Sequence, residues 1–215
     1  MNKIIFISGG ARSGKSSFAE KLAEEIYNNS KDKQKIAYIA TGVPFDNEFK
    51  ERILIHKKNR SEIFETYEET INFDKQIEKI FNKHKIFLIE CLTTWLGNLY
   101  QKNDLNIKNK VDTIIDNTLG IFINKKNKDK SSSNLMNDLF KNENKKNNCS
   151  IKNLLRSKKV NKIIILVSNE TGMGIVPDNK ISRDYRDLLG KINQKVAGRA
   201  NFVYFTCSGI PIRIK

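Results

Sequence analysis

The chain has 215 residues, 39 Lys and Arg against 24 Asp and Glu, and a formal net charge of +15. That length suits one α/β domain with a real core, and no apolar run approaches membrane-spanning length. Three widely spaced cysteines (Cys91, Cys149, Cys207) without a C-x-x-C pair give neither a disulfide framework nor a zinc site. They fit a reducing, cytoplasmic setting.

The charge invites a nucleic-acid reading. Its distribution opposes that. Residues 124–158 hold nine Lys and one Arg against two Asp and one Glu, so nearly half of the excess lies in one Asn/Lys-rich stretch. Such a run is ordinarily solvated surface.

In chain order, Lys3 is followed by Ile4-Ile5-Phe6-Ile7, a core strand rather than a leader peptide, with no cleavage-site pattern. The strand runs into Gly9-Gly10-Ala11-Arg12-Ser13-Gly14-Lys15-Ser16, and an amphipathic helix is expected over 17–27. Strand, G-x-x-x-x-G-K-S loop and helix together form the phosphate-binding P-loop pattern. Gly9 and Gly14 let successive N–H groups turn inward toward phosphate oxygens. The helix that follows adds its positive dipole end. Lys15 reaches the outer phosphates and the Ser16 hydroxyl ligates Mg²⁺.

Residues 35–41 form a second apolar strand ending at Ala40-Thr41-Gly42. Residues 46–58 have helical spacing, with Phe49, Ile53 and His56 on one side and Arg52 nearby. A short strand at 63–67, a helix at 70–81, a buried strand at 85–89 closed by Glu90-Cys91, and helices at 92–100 and 111–122 follow. Residues 124–150 read as an insertion of low complexity, and 151–156 resume a helix. The strongest strand, 161–168, ends in Asn169-Glu170-Thr171-Gly172-Met173-Gly174. A helix at 182–200 and a strand at 201–207 come next. Ser208-Gly209-Ile210-Pro211 then turns the chain into 212–215.

Continuous apolar strands alternating with helices predict a P-loop NTPase-type α/β fold: one domain over 1–215, a mostly parallel sheet and helices on both faces. Ligands in such sheets sit at the carboxyl ends of the strands. The polar clusters after Ile7, Ala40, Ile89 and Val167 should therefore share one crevice.

Glu90 closes a core strand where P-loop proteins place the acid that holds Mg²⁺ or its water shell. A helix N-terminal acid would occupy the same place. His56 stands among Arg52, Lys57, Lys58 and Arg60. Nearby cations keep an imidazole neutral and nucleophilic, and they bind the phosphates it would attack. A structural histidine is equally compatible with the residues alone. His84, in a turn before a strand, carries no chemical signal. Asn109-Lys110-Val111-Asp112 spells the guanine-reading N-K-x-D string, but it follows no core strand and is set aside.

Taken together, the motifs resemble a known family. The P-loop, Tyr38-Ile39-Ala40-Thr41, Arg52-Ile53 with His56-Lys57, Glu90-Cys91-Leu92-Thr93-Thr94 and Asn169-Glu170-Thr171-Gly172-Met173-Gly174-Ile175-Val176-Pro177 occur in order. Arg183-x-Tyr185-Arg186-Asp187-x-x-Gly190-x-x-Asn193-Gln194 and Ser208-Gly209-Ile210-Pro211 follow. The series resembles the bifunctional adenosylcobinamide kinase / adenosylcobinamide-phosphate guanylyltransferases of cobalamin assembly, over nearly the whole chain except 124–158.

The resemblance implies two reactions: phosphorylation of adenosylcobinamide by ATP or GTP, then transfer of GMP from GTP through a GMP-histidine. It places the histidine at His56 and the triphosphate on Gly9 to Ser16. It also implies that Ala40, Thr41, Gly42, Lys57, Lys58, Asn59 and Arg60 contact nucleotide, that Glu68 and Glu90 contact nucleotide or Mg²⁺, and that the chain forms a homo-oligomer, typically a trimer. Ile55 and Lys58-Asn59 depart from the family's usual His and Asp-Gly, leaving His56 the one histidine of its helix. The competing readings are a P-loop small-molecule kinase without nucleotidyl transfer and a nucleic-acid-binding P-loop ATPase.

Overall fold

The structure, a computed structural model, describes residues 2–44, 47–102, 106–123 and 160–215; side chains 48, 49, 52, 56 and 59 are not described. The insertion and the helix expected at 151–156 lie outside these residues, as do the side chains of Phe49, Arg52 and His56.

The described elements run β1 (Lys3–Gly9), α1 (Lys15–Asn29), β2 (Ile36–Ala40), α2 (Asn47–Asn59), β3 (Phe64–Glu68), α3 (Phe73–Ile80) and β4 (Ile86–Glu90). Then come α4 (Leu92–Gln101), α5 (Ile107–Phe122), β5 (Ile163–Asn169), α6 (Lys180–Arg199), β6 (Phe202–Cys207) and β7 (Ile210–Arg213). They build one seven-stranded sheet in the order β3-β2-β4-β5-β1-β6-β7. Every pairing is parallel except β6 with β7.

The central strands are apolar on both sides because both faces are covered. Ile4, Phe6, Phe87, Ile164 and Leu166 pack under α3, α4, α5 and α6. Ile5, Ile7, Leu88, Ile165 and Val167 pack under α1 through Ala19, Leu22, Ala23 and Ile26. The alternation along β1 therefore assigns Phe6 and Ser8 to the α6 side, and Ile5 and Ile7 to the α1 side.

Three boundaries differ from expectation for identifiable reasons. α3 begins at Phe73 rather than 70, because the Glu69 carboxylate accepts the N–H groups of Ile71 and Asn72 at 2.9 Å and holds them in a turn. α5 begins at Ile107, one polar turn before the apolar periodicity starts at Val111.

Ser208 and Gly209 alone make the last turn, both at positive φ (50° and 82°), the conformation that two-residue hairpins use. Ile210 and Pro211, expected in that turn, belong to the antiparallel edge strand β7. An edge position tolerates proline because its missing N–H breaks no central ladder. Asn109 to Asp112 lie on α5, where Asp112 accepts from Lys195 at 2.8 Å, so the N-K-x-D string is helix surface. His84 is buried and satisfied: Nδ1 is 2.6 Å from Lys35 O and Nε2 is 2.8 Å from Tyr67 Oη. Burial lowers its pKa.

The largest fully buried side chain is Trp95 of α4. Its ring meets Phe73 edge-on at 5.0 Å, and its N–H donates to Ile71 O at 2.7 Å, tying α4 to the turn before α3. Trp95→Phe should lower unfolding free energy by about 2 kcal/mol, by leaving that carbonyl unpaired beside a void. Urea denaturation followed by far-UV circular dichroism measures it.

Candidate functional site

The carboxyl ends of β1, β2, β4, β5 and β6 all lie on one side of the sheet, and the loops leaving them are cross-braced. Gly9 O accepts the Glu170 N–H at 2.9 Å, which fixes the loop after β5 to the end of β1. Ser13 O accepts the Gly209 N–H at 2.9 Å, which fixes the P-loop to the β6–β7 turn. Asn169 N donates to Thr93 Oγ1 at 2.8 Å, joining β5 to the start of α4.

Within the P-loop the glycines are required by contact as well as by φ. A Cβ on Gly9 would lie 2.4 Å from Thr206 O, and one on Gly14 (φ +90°) would lie 3.1 Å from the Gly209 Cα. Gly14 is the N-cap of α1 and Arg12 also has positive φ, 56°. No side chain caps this helix, so its first-turn N–H groups are left for an anion at the mouth of the loop.

Lys15 is buried and donates to Gly10 O at 2.9 Å, folding its ammonium across the loop. Burial lowers its pKa and the nearby Glu90 opposes that shift. The Ser16 hydroxyl donates to Glu90 Oε1 at 2.7 Å. Glu90 Oε2 is buried and has no partner. Burial, set against the Ser16 hydrogen bond and Lys15, raises the Glu90 pKa to about 7. Lys15, Ser16 and Glu90 thus meet in one place, as their positions in the sequence implied.

This donor set fits a magnesium ion. Mg²⁺ takes hard oxygen ligands, keeps several waters and shares phosphate oxygens, so a hydroxyl and one carboxylate suffice as protein contacts. The unpartnered Oε2 supplies the vacant acceptor. Among the described residues no group of three His, Cys, Asp or Glu could hold a metal by itself.

Of the other candidate residues, Ala40 and Gly42 are half-buried at the end of β2, whereas Thr41 is fully buried. The Cys91 N–H donates to Thr41 Oγ1 at 2.8 Å, and the Thr94 hydroxyl lies 2.7 Å from the same oxygen. Thr41 therefore fixes the chain just after Glu90. Arg60 stacks its guanidinium 3.4 Å from the Tyr38 ring centre and donates to Thr66 Oγ1 at 2.7 Å. Lys57 and Glu68 pair with each other at 2.9 Å, both exposed. Lys58 is exposed on α2, and His56 and Asn59 are placed by their backbone on the same helix.

Two buried polar groups meet at the loop, one from the motif (Ser13) and one that carried no motif signal (Thr206). Ser13 Oγ and Thr206 Oγ1 are buried with no hydrogen-bond partner. Thr206 is contributed by β6, three residues before the hairpin glycine, and only the register Gly9↔Thr206 brings it to the loop.

With this geometry in view, similarity to known proteins is decisive. A family model described as cobinamide kinase / cobinamide phosphate guanyltransferase matches residues 5–214. The chain belongs to that family. It is 32% identical over 213 residues, 99% of each chain, to the bifunctional adenosylcobalamin biosynthesis protein CobU of Escherichia coli (strain K12). It is 31% identical to the protein of the same name in Salmonella typhimurium, over 99% of each chain. Identity is also 31% to the bifunctional adenosylcobalamin biosynthesis protein CobP of Pseudomonas aeruginosa, over 97% of this chain and 95% of that one. Among the described residues, no helix is long and apolar enough to cross a membrane.

The Glu90 environment predicts a pH signature in metal-free protein. Its folded pKa, about 7, exceeds the ordinary 4.5. Its contribution to stability is therefore fully present below about pH 4.5 and is lost as pH rises through about 7. Glu90→Gln, which stays neutral and still accepts from Ser16, should match wild type near pH 4.5. At pH 8 it should be more stable by on the order of 2 kcal/mol. Thermal melts in EDTA at the two pH values test this; equal gaps at both would refute it.

Proposed function

We propose that the protein phosphorylates the terminal hydroxyl of adenosylcobinamide with ATP or GTP and then transfers GMP from GTP to the resulting phosphate. The products of the second step are adenosylcobinamide-GDP and pyrophosphate. The observation that carries this reading is the Lys15–Ser16–Glu90 cluster at the open end of α1, in a chain whose residues 5–214 match that family.

In the first reaction the acceptor oxygen attacks the γ-phosphorus, the bond to the β-phosphate oxygen breaks, and the hydroxyl proton leaves to a base or water. The P-loop N–H groups and Lys15 stabilise charge on the bridging and non-bridging oxygens, which is most of what a phosphoryl transferase must do. Mg²⁺, held by Ser16 and by Glu90 directly or through water, would supply further charge neutralisation on the phosphates.

In the second reaction a neutral His56 nitrogen attacks the α-phosphorus of GTP and pyrophosphate leaves. An oxygen of the cobinamide phosphate then attacks the same phosphorus and the P–N bond breaks, restoring the imidazole. Lys57, Lys58, Asn59 and Arg60 would contact nucleotide from the same stretch, with Glu68 holding Lys57 at the end of β3.

Meeting the α-phosphorus requires α2 to approach the P-loop. The Lys57–Glu68 bridge that links α2 to β3 is solvent-exposed, and exposed pairs are worth roughly 0–1 kcal/mol, so it is a weak restraint. A homo-oligomer, in the family's manner a trimer, completes the reading.

Incubation with α-labelled GTP followed by denaturation should leave acid-labile, alkali-stable label on wild type and none on His56→Ala. Retained label would remove His56 from the mechanism. A chain that never takes label yet phosphorylates the corrinoid would be a kinase alone. Nuclease-sensitive stimulation of its NTPase activity would indicate the nucleic-acid ATPase.

Lys15→Ala removes the ammonium held across the loop, so both reactions should slow by about 10²-fold or more. Steady-state assays of each step check this, and an unchanged kinase rate would contradict one shared nucleotide site.

A further inference from the structure

Besides the phosphate loop, the described residues frame an open cavity of about 860 Å³ on the α6 face of β1, β6 and β7. Its floor is apolar: Phe6, Val203, Phe205 and Ile214. One wall is α6, through Arg186, Asp187, Gly190, Asn193 and Gln194. The rim is the loop after β5, through Glu170, Gly172, Met173, Gly174 and Val176. These walls are the two sequence strings that carry the family resemblance most specifically. Neither has any part in the nucleotide chemistry described above.

Three observations say what fits there. The cavity abuts the P-loop: it is lined by Ser8, the residue before Gly9, and by Glu170, whose N–H is bonded to Gly9 O at 2.9 Å. A group seated in the cavity and extending past Ser8 would enter the phosphate site. Asn193 is 6% exposed, and its Nδ2 donates to Asn169 O at 3.0 Å, which fixes the orientation of the amide. Its Oδ1 is then a buried acceptor with no partner just behind the cavity wall, a cost that a slight turn of the side chain onto a ligand N–H or O–H would relieve. Finally, the rim leaves Met173 79% and Val176 58% exposed, apolar surface that a large flat ligand would cover.

We propose that this cavity receives the acceptor substrate: a large apolar macrocycle edged with carboxamides, whose hydroxyl- or phosphate-bearing arm passes Ser8 to the P-loop. The inference rests on the functional reading above and gives the acceptor its place. Phe205 and Ile214 take the apolar face of the ring system. Asn193 and Gln194 pair with amides at its edge. Met173 and Val176 pack over it from the rim. Nucleotide and acceptor thus lie on either side of one peptide junction, Ser8–Gly9.

Gly190 makes the test clean. It lies on α6 in the cavity wall, and a Cβ there meets nothing within 4 Å. A side chain can be added without a clash, and leaving glycine favours the helix. Gly190→Ala and Gly190→Leu should therefore fold at least as well as wild type. With adenosylcobinamide as the varied substrate of the kinase step, KM should rise about threefold or less for Ala and about tenfold or more for Leu, in proportion to the volume filled. The KM for the nucleotide and the melting temperature should hold or improve.

An unchanged acceptor KM in Gly190→Leu overturns the assignment. If that variant also changes oligomeric state by analytical ultracentrifugation, the face belongs to a second copy of the chain. Wild type that phosphorylates the corrinoid, paired with an indifferent Leu variant, refutes the cavity alone. Wild type with neither affinity for nor turnover of adenosylcobinamide refutes the proposed function and the cavity together.

Discussion

The site depends on one close approach, that of the Gly9 Cα to the Thr206 carbonyl. A single methyl group there would lie 2.4 Å from that oxygen. Because Gly9 has none, β1 and β6 stay in register to the last residue before the loop. The Gly9 carbonyl meanwhile receives the Glu170 N–H from the other neighbouring strand. Three strand ends are thus locked at one glycine. Gly14 repeats the device one turn later against Gly209, so the hairpin that ends the chain forms the back wall of the loop near its beginning. The P-loop is held open by contacts more than 190 residues away in sequence, not by its own hydrogen bonds alone.

Within that frame, electrostatics prepare the site for a ligand. Lys15 is buried with its ammonium on a loop carbonyl, and Glu90 is buried with one oxygen on Ser16 and the other on nothing. Desolvation disfavours both charges, lowering one pKa and raising the other. A polyphosphate with its cation would reverse both penalties, since the phosphates would stabilise the ammonium and the cation the carboxylate. Binding energy is thus available from groups already held in position, with little reorganisation left for the reaction step. The Thr41–Cys91–Thr94 hydrogen bonds supply the rigidity by fixing the backbone on the far side of Glu90.

The central architecture was legible because its signals are redundant. β1, β4 and β5 are continuous apolar runs, which only a doubly covered parallel sheet explains, and their polar ends converge as such a sheet requires. The meeting of Glu90 with Ser16 was legible from its place at the end of β4. β7 was not, because Ser208-Gly209-Ile210-Pro211 carries turn residues at both ends, and only pairing with β6 distinguishes a strand from a loop. α2 was half legible. Its helix formed where the spacing placed it, yet Leu54 and Ile55 are 57% and 58% exposed, because three consecutive apolar residues cannot share one face. Thr206 was illegible in principle, since its relation to the loop exists only through strand register.

One consequence of the topology unites the two ligand regions. Strand β1 sits between β5 and β6, and its alternating side chains send Ile5 and Ile7 beneath α1 and Phe6 toward α6. The α1 side ends in the helix whose uncapped first turn opens on the P-loop, while the α6 side opens as a cavity bounded by Ser8. A single strand therefore positions both regions, one on each face of the sheet, and both open at its carboxyl end. A parallel sheet delivers this juxtaposition without a flexible domain boundary, because the same backbone that ends in the P-loop also floors the neighbouring cavity.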